Sequence, residues 1–182
     1  FSVKFILSPE NNRLRQFSIS AVFARDISNF FVSSVNQTQW IYDPLSQSWA
    51  RYVDNASEEP VFTRDTGKRT GRGLSFENLI ILFVEHEVIR PRIADMHLEM
   101  GQLEGGYLFR DGQAYPIQWS TRATDYEQST GLRRPIAFQD LEGNPIPLRP
   151  GKTWILIATP FSKVDEISTA YWKVRGYSPE GF

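Results

Sequence analysis

The stretch Gly106–Trp119, GYLFRDGQAYPIQW, contains two short runs of alternating residues on either side of an Asp-Gly pair. An Asp-Gly pair between alternating runs is the strongest short-range signal for a β-hairpin, because both residues accept the positive φ angles of a tight turn. The sequence therefore predicts strands at Gly106–Arg110 and Ala114–Trp119, joined at Asp111 and Gly112.

Period-two alternation and short apolar runs recur along the rest of the chain, separated by proline- and glycine-containing turns. The longest apolar run predicts a single strand at Leu79–Val88, whereas Thr121–Gly131 is predicted as a polar loop. A rough capping-box pattern predicts a short helix at Ser162–Ile167. The sequence thus predicts a mainly β fold of antiparallel sheets, a sandwich or a partly open barrel, built from hairpins with at most one or two short helices.

Composition excludes several classes of function. The 182 residues include 20 basic and 21 acidic side chains and give a net charge of −1. Because these charges are interspersed, the concentrated positive field that a nucleic-acid binder needs is not evident. The chain has no cysteine, which excludes disulfides and thiolate chemistry. Its longest wholly apolar stretch, Leu79–Val84, is too short to cross a bilayer.

Several landmarks occur in a recognisable order along the chain. They are Trp40-Ile41-Tyr42-Asp43, Trp49-Ala50-Arg51-Tyr52, Asp65-Thr66-Gly67, Asn78-Leu79-Ile80-Ile81, Gly105-Gly106-Tyr107-Leu108-Phe109-Arg110-Asp111-Gly112, Ile117-Gln118-Trp119-Ser120 and Leu148-Arg149-Pro150-Gly151-Lys152-Thr153-Trp154-Ile155. In these stretches the chain resembles the C-terminal domain of the YerB-type lipoproteins, a bacterial cell-envelope family of unknown function.

The resemblance implies an extracytoplasmic, lipid-anchored protein in which this domain follows another one. It divides the chain into N-terminal strands at 1–38, forming the junction to an upstream domain, a family domain at 39–160 and a C-terminal extension at 161–182. Because the chain starts at Phe1, we expect any signal peptide or lipid anchor to lie upstream. The resemblance transfers no catalytic residue.

Arg51 and a basic loop are the first candidates for a binding site. Arg51 can form an ion pair with Asp65 or Asp43, or lie over an aromatic ring, and the alternative is contact with a ligand. The glycine-rich loop Asp65–Ser75 carries Lys68, Arg69 and Arg72, which can bind an anionic polymer or an acidic protein surface. The other reading of this loop is a mobile, solvated segment, since the residue order of a phosphate-binding loop is missing.

The five tryptophans are the second candidate group. A partly exposed tryptophan can stack on a sugar ring or anchor a protein partner. Trp172 lies near the end of the chain and is predicted to be the exposed one, whereas Trp154 is predicted to lie in the core.

His86, His97 and Glu99 are weak candidates for a metal site, because two imidazoles and a carboxylate can hold a divalent ion. Strand alternation instead predicts that the two histidines point to different faces. The sequence shows no nucleophile elbow and no distinctive pair of carboxylates. No metal and no cofactor are therefore predicted.

The function predicted from the sequence is a non-catalytic binding or scaffolding domain. Two alternatives stay open: a carboxylate- or metal-dependent envelope hydrolase, and a structural domain that docks on its own N-terminal domain. The expected partners are an unidentified cell-envelope protein or wall polymer and the upstream domain. Nucleic acid is not expected, and membrane contact is expected only through an upstream lipid anchor.

Overall fold

A computed structural model describes residues 2–4, 23–24, 38–54, 61–90, 93–98, 104–121, 124–168 and 170–177. In chain order its strands are β1 (Ser2–Lys4), β2 (Phe23–Ala24), β3 (Thr38–Asp43), β4 (Ser48–Val53), β5 (Thr63–Arg64), β6 (Ser75–Phe76), β7 (Asn78–Phe83), β8 (His86–Arg90), β9 (Ile93–Met96), β10 (Glu104–Arg110), β11 (Gln113–Ser120), β12 (Ala137–Gln139), β13 (Thr153–Ala158), β14 (Lys163–Ser168) and β15 (Tyr171–Tyr177). The helix α1 (Thr124–Thr130) lies between β11 and β12.

The first sheet has the strand order β14-β15-β1-β3-β4-β5, with β2 beside β15 and β6 beside β4. Its centre is the antiparallel hairpin of β3 and β4, in which Trp40 faces Arg51 and Tyr42 faces Trp49 across the strands. β1 pairs with β15 in antiparallel and with β3 in parallel orientation. Strands from both ends of the chain therefore share one sheet with β3 and β4.

The second sheet has the order β12-β11-β10-β7-β13. The predicted hairpin forms β10 and β11, and both turn residues, Asp111 and Gly112, have positive φ angles of 52° and 71°. Such a pair is typical of the tight turns that match the twist of a hairpin. β13 lies in parallel beside β7, with Trp154 opposite Leu79.

Two apolar cores lie on the two faces of the second sheet. The first core joins the sheets and includes Trp40, Trp49, Leu79, Phe109 and Val174; the Trp49 indole N–H donates to the Phe109 carbonyl at 3.1 Å. The second core lies on the outer face, where the chain from Ile136 to Leu148 packs over Ile80, Leu108 and Trp119. Because β7 is covered on both sides, its sequence is a continuous apolar run rather than an alternating one.

The predicted fold class is confirmed, since two open, mainly antiparallel sheets pack face to face and the described residues contain one short helix. The prediction of a helix at Ser162–Ile167 is wrong, because Lys163–Ser168 is strand β14, paired with β15. Leu79–Val88 is two strands rather than one, and the predicted loop Thr121–Gly131 contains α1. No helix in the described part of the chain is long and apolar enough to span a membrane.

Candidate functional site

A hairpin leaves the first sheet between β5 and β6. Both strands pair with β4, β5 through Tyr52 and Val53 and β6 through Trp49 and Ala50. Between these pairs, the backbone N–H of Arg51 donates to the Leu74 carbonyl, and the Arg51 carbonyl accepts from Asp65. The chain therefore leaves the sheet after Asp65 and returns at Leu74, and we call the projecting segment Thr66–Gly73 the basic hairpin.

The backbone of the basic hairpin is closed by its own hydrogen bonds. Thr66 and Gly73 form an antiparallel bridge, and the Gly67 N–H donates to the Arg72 carbonyl at 2.9 Å. At the tip, the N–H of Gly71 donates to the Gly67 carbonyl at 2.8 Å, and Gly71 has a φ of +64°. Only glycine takes this conformation readily, so the glycines of this stretch define a specific turn.

An ion pair between Arg51 and Asp65 lies at the base of the basic hairpin. The two side chains are 17% and 22% exposed, so the pair is largely shielded from water. The Arg51 guanidinium also lies over Trp154, 4.6 Å from the ring centroid, and 5.9 Å from that of Trp40. Burial lowers the pKa of Arg51 from its usual value, and the Asp65 carboxylate and the ring faces offset this desolvation.

The other predicted partner of Arg51, Asp43, is used within its own turn. Its carboxylate accepts hydrogen bonds from the Ser46 hydroxyl at 2.7 Å and from the Leu45 backbone N–H at 2.9 Å. The Ser46 hydroxyl in particular lowers the pKa of Asp43. Asp43 therefore stabilises the β3–β4 turn, and the ion pair forms with Asp65.

Three aromatic rings support the Arg51–Asp65 pair from the side of the inter-sheet core. Trp40, Phe76 and Trp154 come from β3, β6 and β13, and their ring centroids lie 5.3–5.5 Å apart. Because these strands belong to both sheets, the base of the basic hairpin is fixed where the two sheets meet. The predicted core position of Trp154 agrees with this half-buried setting.

The sequence reasoning missed Arg64, a fourth basic residue beside the hairpin. Its guanidinium lies 5.3 Å from the Tyr52 ring centroid and donates to the Arg51 carbonyl at 3.4 Å. A Cβ atom added at Gly73 would collide with this guanidinium. The glycine at 73 was thus a signal that another group packs closely against the hairpin, but the sequence did not show that the group is Arg64.

Lys68, Arg69 and Arg72 differ from Arg51 in being exposed. Within the residues that the structure describes, their side chains form no hydrogen bond or ion pair, whereas the neighbouring acid Asp65 is already paired with Arg51. The structure therefore brings five of the predicted site residues to one hairpin, two at its base and three on its projecting part.

Trp172, the sixth predicted binding residue, lies elsewhere, and the prediction that it is exposed is wrong. It is half-buried at the inter-sheet core, with its ring 6.0 Å from Tyr107 and 5.8 Å from Phe109. Its strand, β15, lies between β14 and β1. The ring contacts with β10 of the second sheet place Trp172 inside the sandwich.

The two histidines lie on the separate two-stranded sheet of β8 and β9, where His86 is opposite Met96 and Glu87 is opposite Asp95. The strand pleat therefore puts His86 and His97 on opposite faces. His86 Nδ1 lies 2.7 Å from the Val84 carbonyl, and His97 Nε2 lies 3.4 Å from the Glu87 carboxylate. Glu99 lies outside the described residues. Among the residues that are described, no cluster of three or more His, Asp or Glu side chains could hold a metal ion.

The β8–β9 hairpin is also the place where several large apolar side chains reach the surface. Ile89, Ile93 and Met96 are 58%, 42% and 42% exposed. An isolated two-stranded hairpin is marginally stable in water. The strand register puts Met96 on the face opposite to Ile93, so Ile89 and Ile93 form a second candidate surface, of apolar rather than basic character.

The Asn78 and Arg149–Trp154 landmarks have a structural role. The buried Asn78 side chain accepts from the Arg149 N–H at 2.9 Å and donates to the Arg149 carbonyl at 2.9 Å. The Glu77 carboxylate accepts from the Lys152 N–H, and a Cβ atom at Gly151 would overlap that carboxylate. These contacts fix the chain that enters β13, and so fix Trp154 under Arg51.

The fold and site together define a two-sheet β domain that presents an ordered basic hairpin from the edge of one sheet. A family model described as "Protein of unknown function (DUF3048) C-terminal domain" matches residues 28–155. The chain belongs to this family.

Two comparisons extend this assignment. Over 123 residues the chain is 29% identical to "Putative lipoprotein YerB" of Bacillus subtilis (strain 168), covering 67% of this chain and 31% of that protein. The crystal structure of YerB protein from Bacillus subtilis has the same fold, with a TM-score of 0.56 and 22% identity, over 84% of this chain and 43% of that one. The chain thus spans less than half the length of these relatives.

Proposed function

We propose that this protein is a non-catalytic binding domain of an extracytoplasmic, lipid-anchored bacterial protein, and that the basic hairpin is its binding element. The name of the relative, "Putative lipoprotein YerB", supports a place at the cell envelope. The hairpin supports the binding role, because it extends beyond the β4 pairing of β5 and β6 and offers three exposed cations without an intramolecular partner among the described residues.

The proposal rests on one observation: the charges at the base of the basic hairpin are paired, whereas those on its projecting part are not paired with any described residue. Arg51 and Asp65 neutralise each other at the base, whereas Lys68, Arg69 and Arg72 stay in solvent. Keeping like charges close together costs free energy, and no contact within the described structure offsets that cost. An arrangement of this kind is typical of a surface whose partner lies outside the chain.

The binding role is tested by sedimenting the domain with cell envelopes isolated from Bacillus subtilis. We expect the domain to be retained, and the variant with Lys68→Gln, Arg69→Gln and Arg72→Gln to be retained at least tenfold less. The matched control carries Arg90→Gln, Arg133→Gln and Lys163→Gln, three exposed cations elsewhere on the surface. Because both variants lower the net charge by three, equal retention of the two would contradict a role for the hairpin.

The same incubation tests the hydrolase alternative. A binding domain leaves the envelope material chemically unchanged, so the soluble fraction should gain no sugar, peptide or phosphate fragments over time. A steady release of such fragments that depends on the added protein would contradict the non-catalytic assignment and favour a hydrolase.

A second candidate function is docking on another domain of the same protein through β8 and β9. The observation that favours it is the exposure of Ile89 and Ile93 on one face of this hairpin, since neighbouring exposed apolar side chains are typical of a contact surface. In a two-domain protein, docking would slow the hydrogen exchange of Ile93–Met96 amides relative to this chain alone. Equal exchange rates in the two proteins would contradict the docking role.

A further inference from the structure

The charge of this protein is unevenly distributed around the basic hairpin. The whole chain has a net charge of −1, but residues 61–76 contain four cations, Arg64, Lys68, Arg69 and Arg72, and one acid. That acid, Asp65, is paired with Arg51. The edge of the first sheet beside β5 and β6 is therefore strongly positive on a protein that is almost neutral.

The hairpin also restricts which anion it suits. Residues 66–73 contain threonine, glycine, lysine and arginine and no apolar side chain. Peripheral binding to a bilayer requires apolar groups that enter the headgroup region in addition to basic ones. The composition of the tip therefore favours a soluble polyanion over a lipid surface.

Neutral carbohydrate is also a poor match for the basic hairpin, because no aromatic face in the described part of the chain is free beside it. Sugar rings bind by stacking on exposed aromatic faces, but the aromatic rings beside the hairpin are covered. Trp40, Phe76 and Trp154 pack against one another, and the Arg64 guanidinium lies over Tyr52. Trp154 is covered further by the Arg51 guanidinium, 4.6 Å from its centroid. The groups left for a ligand are the charged ones.

The positions of the three exposed cations favour an anion that carries several charges along one flexible chain. Lys68 and Arg69 lie in the turn that Gly67 and Gly71 close, and Arg72 lies on the returning side, paired through its carbonyl with Gly67. Guanidinium groups bind phosphate oxygens in pairs, and lysine adds a mobile point charge. A polymer with a phosphate in each repeat can contact all three side chains at once.

We propose that the basic hairpin binds a phosphodiester-linked polymer of small polyols, with Lys68, Arg69 and Arg72 contacting consecutive phosphates. This inference rests on the proposed binding function and names its ligand class. A nucleic acid fits less well, because its bases would need free aromatic rings for stacking. The Arg51–Asp65 pair acts as a positioning group, because it fixes the two ends of the hairpin without reaching the ligand.

The test measures binding of the whole chain to fluorescently labelled poly(glycerol phosphate) by anisotropy. We expect the Lys68→Gln, Arg69→Gln, Arg72→Gln variant to bind at least tenfold more weakly, and the Arg90→Gln, Arg133→Gln, Lys163→Gln control to change affinity by less than about threefold. With three phosphate contacts, the logarithm of the association constant should fall with the logarithm of salt concentration with a slope of about −2. An equal loss in both variants would overturn the site assignment.

Two further probes separate the ligand class from its competitors. Polyglutamate offers carboxylates on a flexible chain, and vesicles containing phosphatidylglycerol offer phosphodiesters on a bilayer. We expect the polymer to bind at least tenfold more tightly than either. Preferential binding to polyglutamate would overturn the assignment of phosphate as the ligand group. Binding to vesicles alone would show that the ligand is a lipid surface and not a soluble polymer.

This experiment can fail independently of the proposed function. If native envelopes retain the protein through the hairpin and poly(glycerol phosphate) does not bind, the phosphodiester inference is wrong while the binding function stands. If neither native envelopes nor the polymer binds, both are wrong.

Discussion

Two hairpins project from the sandwich, and their chemistry differs. The basic hairpin exposes Lys68, Arg69 and Arg72 above a base formed by a shielded ion pair, whereas the β8–β9 hairpin exposes Ile89 and Ile93. The first is tied to both sheets through Trp40 and Trp154; the second forms a two-stranded sheet of its own. The residues at the base of the basic hairpin therefore fix its position without forming its exposed surface.

The largest expected effect is at the base of the basic hairpin. Asp65→Ala removes the partner of Arg51 and leaves a largely buried guanidinium uncompensated, so we expect a loss of about 2 kcal/mol in the free energy of unfolding. The matched change is Asp95→Ala on β9, where an exposed carboxylate accepts a hydrogen bond from the adjacent Met96 N–H. We expect that change to cost less than about 0.5 kcal/mol.

Urea denaturation of both variants measures the difference, and the Asp65→Ala variant should also unfold at a temperature roughly 4–8 °C lower. Equal stabilities for the two variants would show that the base of the basic hairpin is no better fixed than the β8–β9 hairpin.

A smaller effect is expected at the tip turn of the basic hairpin. Gly71→Ala places a Cβ atom in open space but on a backbone with a φ of +64°, which costs an L-residue about 1 kcal/mol. Gly105→Ala is the control, because its Cβ would make an ordinary contact at 3.6 Å with Phe83. Thermal unfolding should show a lower midpoint for Gly71→Ala alone. Identical midpoints would mean that the turn does not hold its left-handed residue.

The exposed side chains of the β8–β9 hairpin should matter less to stability. Ile89→Ser combined with Ile93→Ser removes apolar groups that are already about half in water, so we expect a loss below about 1 kcal/mol. Leu82→Ala, at a position that is 2% exposed, should instead cost about 2–4 kcal/mol. A large loss in the isoleucine variant, measured in urea, would make these residues part of the core rather than a contact surface.

The smallest effect on stability is expected at the three exposed cations. Replacing Lys68, Arg69 and Arg72 with glutamine removes side chains that have no described intramolecular partner, so the free energy of unfolding should change by less than about 0.5 kcal/mol. A loss above 1 kcal/mol in urea denaturation would indicate a structural role for these side chains, and a binding defect of the variant could then not be assigned to lost ligand contacts.

Local sequence patterns predicted the elements whose partners are close along the chain. The Asp111-Gly112 turn indicated the β10–β11 hairpin, which the structure contains. One local element was still missed: Lys163–Ser168 carries a helix-like capping pattern, but it pairs with the strand that follows it, β15. The burial of Trp172 depends on partners far away along the chain, because its ring packs against Tyr107 and Phe109 of the other sheet.

The candidate site was predicted in part for the same reason. The sequence offered Asp65 as a partner for Arg51 and marked Lys68, Arg69 and Arg72 as a basic group. It did not show that Trp154, about a hundred residues away, would lie under Arg51, because β13 reaches that position through its parallel pairing with β7. Nor did it distinguish a solvated segment from a hydrogen-bonded hairpin, since the glycines are compatible with both.

The binding role of the basic hairpin is tested most directly by comparing hydrogen exchange in the protein alone and bound to isolated envelope material. This role predicts that binding slows exchange at residues 64–74 and leaves residues 86–96 unchanged. Slower exchange at residues 86–96 with no change at 64–74 would contradict it, and would place the binding surface on the apolar β8–β9 hairpin.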